Sequence, residues 1–165
     1  MNEFRVGFGQ DVHRLVVGRP LILGGVAIPH EKGLDGHSDA DVLTHAIMDA
    51  LLGAAGLGDI GEHFPDDDLM YKDISSLVLL RKVGDMLRQA GFFVQYIDAT
   101  VAAQAPKISP YKGEMETKLA YALELTESQI NIKATTHEGL GFVGRHEGIV
   151  AFAVTTLARN AAHNS

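Results

Sequence analysis

At 165 residues, with 46% hydrophobic and 21% charged side chains, the chain reads as one globular domain (residues 1–165) long enough to bury its own core. Twenty-one acidic residues against fourteen Lys and Arg give a net charge of −7 with no basic cluster, which argues against nucleic acid as a partner, since phosphate contacts need concentrated positive charge. There is no cysteine, so disulfides and thiolate metal sites are excluded, and any metal must be held by histidine and carboxylate.

No apolar run approaches membrane-span length, and Met1-Asn2-Glu3-Phe4-Arg5 lacks the basic start and apolar middle of a signal peptide. A cytoplasmic protein with no membrane contact is the expectation. Phe4 to Phe8 alternates as a strand does, and Gly9-Gln10-Asp11-Val12-His13 continues it. Residues two apart on a strand point to one side, so Asp11 and His13 can converge on a point. An ordinary polar strand end fits the same letters. Leu21 to Ile28 reads as a hairpin around Gly24-Gly25 and ends at Pro29; His30 to Asp35 reads as a charged, mobile loop.

The central stretch is Gly36-His37-Ser38-Asp39-Ala40-Asp41 and the helix that follows it. Ser38 is read as the N-cap, with Asp41 completing a capping box. Leu43, Ala46, Ile47, Ala50, Leu51 and Ala54 make the expected buried stripe, while Ser38, Asp41, His45 and Asp49 fall on one line of the other side. His45 thus sits among carboxylates. With Asp11 and His13 it makes three ligands, the number a catalytic zinc uses when one position stays open. His37, just ahead of the expected cap, lies where backbone N–H groups favour anions.

Gly56 to Asp68 is a glycine-punctuated loop loaded with acids; such a run is usually only solvated. Ser75 or Ser76 caps a second helix that ends near Ala90, with Gly91 just beyond it. Phe92 to Ala103 reads as a strand, broken by Gln104 to Pro110, and Tyr111 to Glu124 reads as a third helix burying Met115, Leu119, Ala122 and Leu123. A capping-box turn at Thr126 to Gln129 precedes the strand Ile130 to Thr135. Another Gly-rich loop, Thr136 to Arg145, leads to a final strand from Gly148 to Leu157, apolar on both faces. His30 and His163 are read as surface residues. The element order implies an α/β domain of two layers, a mixed sheet with helices packed on one face.

Four separated motifs together resemble one family, the 2-C-methyl-D-erythritol 2,4-cyclodiphosphate synthases of the non-mevalonate isoprenoid pathway. They are Gln10-Asp11-Val12-His13; Gly36 to Asp41 through His45 into Leu57-Gly58-Asp59-Ile60-Gly61 and Phe64-Pro65-Asp66; Ala103-Gln104-Ala105-Pro106-Lys107; and Lys133 to Thr136 through Gly141 to Arg145. The resemblance covers essentially the whole chain, in order and spacing.

It implies a phosphorus–oxygen lyase reaction, in which the 2-phosphate of 4-diphosphocytidyl-2-C-methyl-D-erythritol 2-phosphate attacks the β-phosphorus and expels CMP. The resemblance assigns zinc to Asp11, His13 and His45, with a substrate phosphate in the fourth position. Glu138 is assigned a second divalent ion, Mg²⁺ or Mn²⁺, and His37 and Thr136 the stabilisation of the transition state. Ser38, Asp59, Ile60, Gly61, Phe64, Pro65, Asp66, Asp67 and Asp68 match erythritol and phosphate contacts. Ala103, Gln104, Ala105, Pro106, Lys107, Ile108 and Ser109 match a cytidine pocket, and Thr135, His137, Phe142 and Arg145 match further ligand positions. A homotrimer with sites between subunits is also implied, Lys107 and the Thr135 to Glu138 loop coming from a neighbour.

The sequence departs from the family where His137 replaces a more usual Thr and His146 a more usual Gly beside Arg145. Two alternatives compete: a metal-dependent phosphohydrolase, whose adjacent His-Asp pair the run His37-Ser38-Asp39 does not supply, and a non-catalytic trimeric scaffold binding metal or nucleotide.

Overall fold

The structure is a computed structural model that describes residues 3–159; His163 lies outside them. Among the described residues a five-stranded mixed sheet runs in the order β4-β1-β7-β5-β6. It is built from β1 (Glu3–Val17), β4 (Lys32–Leu34), β5 (Phe93–Ala102), β6 (Ile130–Thr135) and β7 (Gly148–Arg159). β5 and β6 are parallel and the other neighbours antiparallel. The separate hairpin of β2 (Leu21–Leu23) and β3 (Val26–Ile28) turns at Gly24-Gly25, as its letters predict.

The alternation read in β1 is real. Gly7, Gly9, Asp11 and His13 face the helices, while Phe4, Val6, Phe8 and Val12 lie exposed on the opposite face. Val154 and Tyr96 extend that apolar open face across β7 and β5. On the covered face, Ile97, Ala99, Val101, Ile149, Ala151, Ala153 and Leu157 pack against α1 (Val42–Ala55), α3 (Ser76–Gln89) and α4 (Lys112–Leu123) in one core. None of the described helices is long and apolar enough to cross a membrane.

Two glycines set how closely α1 lies on the sheet. A Cβ on Gly7 would come 1.9 Å from the Ala50 carbonyl oxygen, and one on Gly9 2.0 Å from that of Ala46. Backbone meets backbone there, which only glycine permits.

Three sequence expectations need correction. The N-cap of α1 is Asp41, not Ser38, because Ala40 takes a left-handed φ of 56° that a helix cannot include. Asp41 is fully buried and accepts from the amides of Gly24 (2.9 Å), Gly25 (2.7 Å) and Thr44 (3.0 Å) and from the Thr44 hydroxyl (2.7 Å). It therefore tethers the hairpin to the helix and does not join the acids around His45. Secondly, α1 has no single buried stripe: Leu43, Thr44, His45, Ala46, Ile47 and Met48 are all buried in succession, since the sheet, the hairpin and α3 enclose it. Thirdly, the segment read as a mobile loop contains β4, which pairs with Leu15 to Val17.

The acid-rich and Gly-rich loops also hold short helices, α2 (Ile60–His63) and α5 (Gly141–Gly144), and a 3₁₀ turn at Leu69–Tyr71. A 3₁₀ turn at Ser109–Tyr111 precedes α4, so that helix starts one residue later than its sequence implies.

Candidate active site

Strand β1 and helix α1 bring Asp11, His13 and His45 together. Asp11 Oδ2 lies 2.8 Å from His13 Nε2 and 3.0 Å from His45 Nδ1, and the two ring nitrogens are 3.2 Å apart. A tetrahedral ion at zinc–nitrogen distances spaces its ligands by about 3.3 Å, so three donor atoms already stand where one ion would collect them. The far ring nitrogens orient the rings. His13 Nδ1 is 2.6 Å from the Asp35 carbonyl oxygen, which only accepts, so that nitrogen carries the proton and Nε2 is left to face the centre. The three residues are the group among the described residues whose ligand atoms lie within 4.8 Å of one another.

Without an ion, the cluster shares protons. Burial pushes the Asp11 carboxyl up, but hydrogen bonds and charge from His13 and His45 outweigh it and hold the pKa at about 2. For His13, burial opposes the charge, and the Asp11 carboxylate overcomes this and raises the ring's pKa. A divalent ion bound here replaces those protons.

A cavity of ≈ 160 Å³ opens beside the triad. His37, Ser38, Ile60, Gly61, Phe64 and Asp66, which the resemblance assigns to the substrate or the transition state, line it. Met48, Tyr71 and Leu79 line it too, although nothing in the sequence singles them out. Phe64 and Tyr71 meet edge to face at 5.5 Å and form one wall. His37 Nε2 donates to the Asp68 carbonyl at 2.9 Å. The acids of this loop have separate roles. Asp59 caps α2 at the Glu62 amide, Asp68 caps the 3₁₀ turn at the Met70 amide, and Asp67 is exposed. Asp49, one turn after His45, accepts from the Ile60 amide at 2.9 Å and so fixes the loop's approach. Burial, with the neighbouring charges of Asp59 and Asp11, pushes its carboxyl up. Arg19 is another residue that sequence reasoning misses. It donates to the carbonyls of Leu34 (3.0 Å) and Ser38 (2.9 Å), which pins the loop in front of α1.

A second, wider cleft of ≈ 440 Å³ lies at the end of β5 and β6. Ala103, Gln104, Ala105, Pro106, Lys107, Ile108 and Ser109, the run that the resemblance assigns to a cytidine pocket, line it with Ala134, Thr135 and Thr136. Glu138 is exposed on the following loop, at a left-handed φ of 52°, and accepts from the Thr136 hydroxyl at 3.3 Å. Among the described residues it joins no group of three metal-ligating side chains. His137 is half-buried on the same loop. Phe142 lines a third depression with Val12, His13 and Arg14, and Arg145 is paired to Glu147 at 3.1 Å. Within one chain, no hydrogen bond joins the loop from Thr135 to Glu138 to the triad among the described residues. The residues singled out from the sequence thus fall into two groups, one around the triad and one around the second cleft.

The model of the YgbB family matches residues 4–158. The 2-C-methyl-D-erythritol 2,4-cyclodiphosphate synthase of Pelotomaculum thermopropionicum is 64% identical over 153 residues, covering 93% of this chain and 94% of its own. That of Desulfosudis oleivorans is 58% identical over 161 residues, covering 98% and 96%. Among solved structures, IspF of Plasmodium falciparum in complex with CDP superposes with a TM-score of 0.85 at 34% identity, covering 98% of this chain and 99% of that one. The bifunctional IspDF of Campylobacter jejuni gives a TM-score of 0.93 at 46% identity, covering 97% of this chain but 43% of that longer one. From this match along nearly its whole described length, the chain belongs to the YgbB family.

Proposed function

We propose that this protein cyclises 4-diphosphocytidyl-2-C-methyl-D-erythritol 2-phosphate to 2-C-methyl-D-erythritol 2,4-cyclodiphosphate with release of CMP, in the cytoplasm, as a homotrimer. The observation that carries the reading is the triad: three donor atoms 2.8–3.2 Å apart in the wall of a cavity, in a chain related along its length to synthases of that name.

In the reaction, an oxygen of the 2-phosphate forms a bond to the β-phosphorus. The bond from that phosphorus to the α–β bridging oxygen breaks, and its electron pair leaves with CMP. Substrate supplies nucleophile and electrophile, so no side-chain nucleophile is needed. Asp11, His13 and His45 would hold zinc, and Glu138 Mg²⁺ or Mn²⁺, whose oxygen preference suits a lone carboxylate completed by phosphates. When bound, these ions neutralise phosphate charge and polarise the reacting phosphoryl group, which lets two anions approach in a chain of net charge −7.

The chain's own residues position the rest. Ser38 holds its hydroxyl at the cavity wall, Phe64 and Tyr71 exclude water from one side, and Asp49 and Arg19 fix the loops. Ala103 to Ser109 would seat the cytidine, with Lys107 near its phosphates, and His37 and Thr136 would meet the developing charge. Holding both ends of one molecule turns orientation into rate. Incubating the purified protein with this substrate tests the reading. Cyclic diphosphate and CMP are expected in equal amounts, whereas inorganic phosphate would indicate a phosphohydrolase and no product a binding scaffold.

Glu138→Gln should retain its zinc while activity falls by about 10²-fold or more, partly restored by high Mg²⁺ or Mn²⁺. Loss of zinc from that variant, by elemental analysis, would reject separate metal sites.

The trimer is supported by the open sheet face, where Phe4, Val6 and Phe8 are each more than 60% exposed, and by the two separate half-sites. A cyclic assembly would set the triad of one subunit against the Lys107 and Glu138 half of the next. Two inactive variants, His45→Ala and one altered at Lys107, then complement each other. Random reassembly in equal amounts makes roughly three quarters of trimers mixed, each with one intact site of three, and restores about a quarter of wild-type activity. Confirmed subunit exchange without recovery would reject the shared site.

A further inference from the structure

Glu138 sits in a turn that its own letters do not favour. The Leu140 amide donates to the His137 carbonyl at 2.9 Å, and the two residues between them, Glu138 at φ 52° and Gly139 at φ 76°, are both left-handed. Asn or Gly is the usual first central residue of such a primed turn, and a glutamate there is strained. A strained conformation persists only where its surroundings hold it.

Three contacts hold this one. The Thr136 hydroxyl accepts from the Glu138 amide and donates to the Glu138 carboxylate, each at 3.3 Å. Gly139 rests on Gly144, where a Cβ would come 2.1 Å from the Gly139 carbonyl carbon. Both contacts belong to the loop from Thr136 to Arg145 and travel with it. The third comes from outside the loop: Gln104 Oε1 accepts from the Gly139 amide at 3.2 Å. Gln104 lines the second cleft beside Ala105 and Lys107. Among the described residues, no other hydrogen bond ties the turn from His137 to Leu140 to the run from Ala103 to Ser109.

We infer that Gln104 is a positioning residue, whose side-chain oxygen holds the turn in its left-handed form and so fixes the Glu138 carboxylate relative to the run from Ala103 to Ser109. The backbone already joins the two segments one step earlier, where the Ala103 amide donates to the Thr135 carbonyl at 3.0 Å. Gln104 extends that connection to the tip of the loop. The inference rests on the roles proposed above, a cytidine seat for the run and a divalent ion for Glu138. A carboxylate that must meet an ion and a phosphate together gains from being placed before either arrives.

The test uses Gln104→Met, which keeps the side chain's length and removes its acceptor, and Gln104→Glu, which keeps an acceptor oxygen. The first readout is amide hydrogen exchange by NMR on the whole chain, without Mg²⁺, Mn²⁺ or nucleotide. The Leu140 amide closes the turn, so it reports whether the turn itself opens and not merely whether one bond is lost. It should exchange about 10-fold faster in Gln104→Met and near the wild-type rate in Gln104→Glu. Unchanged exchange at Leu140 in Gln104→Met would overturn the inference.

The second readout separates metal from nucleotide. In Gln104→Met the Mg²⁺ or Mn²⁺ concentration for half-maximal turnover should rise about 10-fold, while CMP affinity, measured without either ion, stays within twofold of wild type. In a Glu138→Gln background the same substitution should change turnover less than twofold, because the residue it acts through is already gone. Weakened CMP binding with an unchanged metal requirement would assign Gln104 to the nucleotide alone and reject the coupling. So would a full effect in the Glu138→Gln background. A wild-type protein that forms no cyclic diphosphate would overturn the proposed reaction instead, with the exchange of Leu140 still deciding whether Gln104 holds the turn.

Discussion

Replacing His45 with alanine is expected to leave the chain folded but abolish the zinc binding proposed for the triad, and with it bring turnover down by at least about 10³-fold. The cost to the metal-free fold is modest. The imidazole is buried against Ser38 and Ser76, and alanine forfeits those contacts and leaves a small polar cavity, on the order of 1–2 kcal/mol. Wild type gains further stability from any ion it holds, in proportion to the logarithm of free metal over Kd, and the variant does not. Thermal unfolding with and without added zinc separates the two contributions. The wild-type midpoint should rise with zinc and the variant's should not. A variant that kept stoichiometric zinc would remove His45 from the centre.

The second large effect lies at a residue with no side chain. Gly9→Ala places a methyl 2.0 Å from the Ala46 carbonyl oxygen and 2.7 Å from the Ala50 amide, and both belong to helix backbone that cannot rotate away. The helix must lift off the sheet, which undoes packing along its buried length and costs about 3 kcal/mol or more. The chemistry suffers in parallel. Ala46 is the neighbour of His45, so a shift of the helix opens edges of 2.8–3.2 Å in the triad and weakens metal binding through a residue that ligates nothing. Gly53, on the exposed side of the same helix, is the control, because a methyl added there would meet nothing within 4 Å. Alanine at that position should be neutral or stabilising by up to about 1 kcal/mol. Denaturant unfolding and zinc competition on the two variants check both halves of the expectation. Equal behaviour at the two positions would mean the helix does not rest on β1 as described.

Much of this is legible in the letters, and the failures share a cause. β1, β6 and β7 declare themselves through local patterning, and Asp11 with His13 through a spacing that a strand converts directly into proximity. β4 does not, because Lys32-Gly33-Leu34 is too short to alternate and is a strand only by pairing with residues seventeen or so positions earlier. The start of α1 misleads because Ser38-x-x-Asp41 satisfies a local capping rule while Asp41 answers to Gly24 and Gly25. Ser76 is visible in the sequence only as a helix cap, since its contact with His45 Nε2 at 2.9 Å is made across thirty-one residues. The residues of the two clefts are drawn into one site only by the resemblance, and no local signal says that the clefts stand apart in one chain.

The alternation of β1 carries a consequence for how this sequence can change over time. Its odd-numbered positions hold Gly7, Gly9, Asp11 and His13 toward the helices, and its even-numbered ones hold Phe4, Val6, Phe8 and Val12 toward the open face. A single inserted or deleted residue within it reverses parity from that point on, handing Asp11 and His13 to the outer surface or phenylalanines to the helix face. Point substitutions can be tried one side at a time, but length is common property of both faces. The strand can therefore drift in letters while its residue count is held, and any lengthening must come in pairs or be absorbed by a bulge.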